Sequence, residues 1–200
     1  MVLDGKAARV LRRVPWALSV LRIALGPAYV LALEMSAVLP LEIAVVAAAS
    51  DFVDGRIARR LGSASRTGAV LDVVGDGVFV LAALAALAAG SVVSWLLPFA
   101  VLLGLSGLAL ATWRGRRSPG TADGGDAVPR VRGPADRAGH AAGIVNYALV
   151  IAASVAVAGW VDGAWLMPAS VAVAVLNLSP LALRASRGSR GGSRTAARPR

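Results

Sequence analysis

The stretch GAVLDVVGDGVFVLAALAALAA, residues 68–89, decides the fold. At ~1.5 Å per residue it is long enough to cross the ~30 Å hydrocarbon core of a bilayer as a helix, and it carries no Lys or Arg. Yet it holds Asp72 and Asp76, and Gly68, Asp72 and Asp76 recur four residues apart, on one stripe of a helix. A carboxylate at membrane depth costs a few kcal/mol, so this stripe must face a polar cavity or a cation.

The rest of the chain supports a membrane setting. Of its 200 residues 57% are apolar, against roughly 45–50% in a soluble domain, and mean hydropathy is +0.69. Apolar runs at about 15–33, 39–59, 68–89, 92–113, 141–160 and 164–183 predict six transmembrane helices and an all-α integral membrane protein. The run after Pro15 is too long for the apolar core of a signal peptide. Residues 1–14 read as a basic cytoplasmic N-terminus, 15–183 as the helical domain with a surface loop over 114–138, and 184–200 as a disordered Arg-rich cytoplasmic tail.

Charge placement sets the orientation. The 21 Lys and Arg against 11 Asp and Glu would suggest nucleic acid for a soluble chain. With the N-terminus inside, however, every basic residue falls on the inner side or in the inner half of a helix, and the outer connections hold only Glu34 and Asp162. The tail arginines then suit anionic headgroups, and nucleic acid is not an expected partner. All five tryptophans fall near proposed helix ends, as interface anchors do. Cysteine is absent, which excludes disulfides, thiol catalysis and Cys-ligated zinc.

The preceding helix carries a second acidic stripe: Asp51, Asp54, Gly55 and Ala58 recur at i, i+3, i+4 and i+7. A short connection makes the two helices antiparallel neighbours, so both stripes meet at the cytoplasmic end. Converging carboxylates repel unless cations neutralise them, and oxygen donors without His or Cys favour Mg²⁺ or Mn²⁺. Two such ions can clamp a pyrophosphate during a displacement at phosphorus. The alternative is a packing role, with the carboxylates paired to Arg56 and Arg59. Arg22, deep in the first span, either faces the cleft near phosphate or snorkels to the inner surface. Glu42 reads as solvated and the lone His140 as structural.

The pattern Asp51-x2-Asp54-Gly55-x2-Ala58-Arg59-x8-Gly68-x3-Asp72-x3-Asp76 resembles the signature of the CDP-alcohol phosphotransferase family. Pro15, Leu18, Arg22 and Pro27 are similar to its first-helix motif, with Trp16 and Ser19 where Asn and Thr are usual. The resemblance implies a six-helix bundle with a cytoplasm-facing polar cleft, in which a CDP-linked donor exchanges CMP for an alcohol. It implies two metals on Asp51, Asp54, Asp72 and Asp76, with Asp76 also the base, and Gly55, Ala58, Arg59 and Gly68 around the cytidine diphosphate. Arg22 and Arg66 are candidate phosphate or acceptor contacts.

A phosphatidyltransferase using CDP-diacylglycerol is therefore expected, in a bacterial cell membrane with both termini cytoplasmic, with a homodimer as the candidate assembly. The basic mouth, including Arg130, Arg132 and Arg137, favours glycerol 3-phosphate, then inositol phosphate, as acceptor. Against this, Gly77 stands where relatives using phosphorylated acceptors commonly have Lys or Arg. The alternative function is a non-catalytic family member or small transporter that binds cations or lipid in the acidic cavity.

Overall fold

The computed structural model describes residues 5–61, 66–115 and 134–192, with side chains over 16–53, 56, 71–107, 109–110 and 138–183. Among the described residues the fold is all-helical: α1 Gly5–Met35, α2 Leu39–Leu61, α3 Arg66–Ala89, α4 Leu96–Gly115, α5 Pro134–Val157 and α6 Leu166–Gly192.

Four helices are long and apolar enough to cross a membrane, over Trp16–Met35, Leu71–Ala89, Ala138–Val157 and Leu166–Leu183. These mark a membrane protein. In α4 the apolar stretch Leu96–Gly107 is shorter. In α2 the second half carries Asp51, Asp54, Arg56, Arg59 and Arg60, which lowers its hydropathy where the acidic stripe lies.

Helix α3 lies at the centre, packed against α1, α4 and α5, while α6 packs on α4 and α5. Its buried residues Phe79, Val80, Ala83, Leu84, Leu87 and Ala88 form the spine of the core, joined by Tyr29, Ala44, Ala47, Leu97, Val150 and Ala153. So many alanines suit a membrane bundle, where close backbone approach rather than expulsion of water holds helices together. The outer surface is apolar, with Leu31, Phe52, Phe99 and Val175 all more than 60% exposed. In water such a surface would aggregate; facing lipid it is the expected exterior.

Local chemistry sets the helix ends, and several differ from the boundaries the apolar runs suggest. Helix α4 begins at Leu96 rather than 92 because Ser94 is a cap: its Oγ accepts from Leu96 N at 3.2 Å, and its own N donates to Ser170 Oγ at 2.9 Å. Helix α5 starts early, at Pro134, a residue suited to a first turn because the missing N–H is unpaired there anyway. It closes at Gly159, whose φ of 76° lets Trp160 N reach back to Val155 O at 3.2 Å.

Helix α6 runs past Leu183, after which the tail is expected to begin, to Gly192. Once a helix is nucleated by packing, each further residue adds a hydrogen bond at little cost. Within α6, Pro180 cannot donate to Leu176 O, and Ser179 Oγ takes that carbonyl at 2.7 Å.

Candidate metal and active site

Four helices bring charged or polar groups to the α2–α3 end of the bundle. Arg22 comes from α1, Asp51 from α2, Asp72 and Asp76 from α3, and Tyr147 from α5. The α1–α3 approach that makes this possible depends on Gly75. A Cβ at that position would sit 2.8 Å from the Ser19 backbone oxygen, so only glycine lets the two helices lie this close. Arg22 is one turn beyond Ser19, and Asp76 adjoins Gly75.

Arg22 is fully buried. One guanidinium nitrogen pairs with Asp51 Oδ1 at 3.0 Å and with Asp76 Oδ1; the other pairs with Asp72 Oδ1 at 2.5 Å. Arg22 therefore faces the acidic cluster instead of snorkelling, and its cation lies among the carboxylates. Three aspartates and one arginine leave a formal excess of two negative charges. Ligand oxygens of Asp51, Asp72 and Asp76 lie within 4.8 Å of one another and are partly exposed. Hard oxygen donors so close together, with surplus negative charge, could hold a metal ion.

Tyr147 is a site residue that the sequence reading did not name. Its hydroxyl donates to Asp76 Oδ1 at 3.0 Å. The only clue in the chain is a polar pair, Asn146-Tyr147, inside an apolar run. Asn146 has a separate duty: its amide and that of Asn177 exchange hydrogen bonds at 3.0 and 2.9 Å, tying α5 to α6.

The remaining expected residues fall as follows. Asp54, Gly55, Ala58, Arg59, Arg66 and Gly68 lie on α2 and α3, but their side chains are outside the described residues. So are Arg130 and Arg132 and most of the loop 114–138, and the side chain of Arg137. Arg56, offered as a packing partner for the carboxylates, places its guanidinium over the Phe52 ring at 5.9 Å instead. His140 and Glu42 are exposed. Gly77 is buried, and a Cβ there would meet Leu105 Cδ1 of α4 at 2.9 Å. Position 77 thus faces the α4 packing contact.

A family model described as CDP-alcohol phosphatidyltransferase matches residues 12–176. Comparison with curated proteins and with solved structures gives no match.

Proposed function

The chain belongs to the CDP-alcohol phosphatidyltransferase family, and from that premise we propose that it transfers a phosphatidyl group from CDP-diacylglycerol to a phosphorylated polyol, releasing CMP. The convergence of Asp51, Asp72 and Asp76 on one buried arginine, within the motif stretch, is the observation that carries the reading. A transporter or retired relative would not require such a cluster to sit beside a family nucleotide motif.

In this reading Asp51, Asp54, Asp72 and Asp76 hold two Mg²⁺ or Mn²⁺ ions. When bound, the ions offset the charge of the pyrophosphate. The acceptor hydroxyl oxygen attacks the phosphorus that bears diacylglycerol. As the new P–O bond forms, the bond from that phosphorus to the oxygen of CMP breaks, and the hydroxyl proton passes to the Asp76 carboxylate. In this reading Gly55, Ala58, Arg59 and Gly68 border the cytidine diphosphate, and Arg22 and Arg66 are the candidate contacts for phosphate or acceptor.

Six spans over 15–183, with basic termini and the 114–138 loop in the cytoplasm of a bacterium, give the cleft access to soluble acceptor. Glycerol 3-phosphate is the first choice and inositol phosphate the second, on the strength of the arginines at the mouth. Gly77, standing where relatives with phosphorylated acceptors commonly have Lys or Arg, is the argument on the other side.

The test is CMP release by purified protein given CDP-diacylglycerol, Mg²⁺ and each acceptor in turn. Release with glycerol 3-phosphate, abolished by EDTA and restored by Mg²⁺ or Mn²⁺, is expected. Preference for serine would overturn the acceptor, and unchanged turnover in EDTA would overturn the metal assignment.

A further inference from the structure

Asp76 Oδ1 accepts from two donors, Arg22 and Tyr147. Arg22 supplies charge, and its role is explained by the three carboxylates around it. The phenol needs its own account. The Tyr147 ring stacks on Phe79 of α3, with centroids 5.6 Å apart and planes within 15°. Phe79 in turn meets the edge of Tyr29 of α1 at 6.0 Å, and the Tyr29 hydroxyl is hydrogen-bonded to Ser154 of α5 at 2.7 Å.

Three rings from three helices thus fix the plane and position of Tyr147. Phenylalanine would stack on Phe79 equally well. A phenol carried to this depth is favoured only if its O–H finds a partner, and the partner here is a carboxylate that the family motif places in the reaction.

We infer that Tyr147 is a positioning residue for Asp76: its hydroxyl, aimed by the Tyr29–Phe79–Tyr147 stack, holds Oδ1 and thereby presents Oδ2 to the metal and to the acceptor hydroxyl. The inference rests on the proposed function for its kinetic consequence, but its effect on metal affinity does not depend on turnover. Groups that orient a metal-ligating side chain typically change affinity or activity about 10–100-fold when removed.

The experiment uses full-length protein in detergent and compares wild type, Tyr147→Phe and Tyr29→Phe. Tyr29→Phe removes a phenol from the same stack without touching the carboxylates. Mn²⁺ binding is followed by electron paramagnetic resonance without substrate, and kcat and KM for CDP-diacylglycerol by CMP release. Tyr147→Phe should bind Mn²⁺ about 10-fold more weakly and lose about 10-fold or more in kcat with KM for the donor within about twofold; Tyr29→Phe should match wild type in both. Tyr147→Phe binding Mn²⁺ like wild type overturns the inference. So does an equal loss in the two variants, because the effect would then not be specific to the hydroxyl on Asp76, and so does a wild type that binds no Mn²⁺. A wild type that binds Mn²⁺ but releases no CMP overturns the proposed function, and the Mn²⁺ comparison still decides the role of Tyr147.

Discussion

Replacing Gly75 with alanine tests the helix contact on which the whole site depends. The new Cβ would lie 2.8 Å from the Ser19 oxygen and 3.5 Å from its carbon atoms. These are backbone atoms and cannot rotate away. Ordinary contact begins near 3.4 Å, so α1 must retreat by roughly 0.6 Å. Overpacking of this kind costs about 1–3 kcal/mol. Alanine also recovers about 0.8–1 kcal/mol of helix propensity, which partly offsets the clash.

Gly77→Ala supplies the reference, because it gains the same propensity but meets only Leu105 Cδ1, the far end of a side chain that can turn aside. The difference between the two alanines therefore isolates the backbone clash. At about 2–4 °C per kcal/mol for a chain of this size, Gly75→Ala should melt about 2–12 °C below Gly77→Ala. Tryptophan fluorescence during heating in detergent measures it. Because the retreat of α1 carries Arg22 away from Asp76, Gly75→Ala should also lose most CMP release. Equal melting temperatures for the two variants would refute the close-approach reasoning.

Removing the buried cation should destabilise the cluster. Breaking a fully buried ion pair costs about 3–5 kcal/mol, but the three aspartate side chains retain 31–43% exposure. Arg22→Met should thus lose about 1–3 kcal/mol in EDTA, and Mg²⁺ should raise its melting temperature more than that of wild type; a melting curve unchanged by the substitution would contradict this. The amide pair should behave as one unit. Asn146→Leu or Asn177→Leu alone should cost about 0.6–1.7 kcal/mol, and the double variant less than the two losses added, as read from a thermal double-mutant cycle. For topology, the cysteine-free background allows single cysteines at Ser36 and Gly163 to be labelled only from outside, and at Ser63, Gly124 and Ser193 only from the cytoplasm. Opposite labelling of either set would refute the six-span arrangement.

The apolar runs located the six helices of the described residues, four of them long and apolar enough to cross a membrane. The acidic stripes were equally legible. The four-residue spacing of Gly68, Asp72 and Asp76 places them on one face of any α-helix, and carboxylates at such depth must face a polar cavity or a cation. Helix ends were less legible, since Ser94 as a cap and the continuation of α6 to Gly192 depend on local hydrogen bonding that hydropathy does not register.

Partner choice belonged to the tertiary structure. Arg22 and Arg56 are both arginines near the acidic residues, but one is buried among three aspartates and the other lies on Phe52. Tyr147 reaches Asp76 across 71 residues of chain. Gly75 and Gly77 are two residues apart, yet one lies against Ser19 of α1 and the other against Leu105 of α4. A repeat of 3.6 residues per turn says which residues share a face; only the packing of one helix on another says what that face meets.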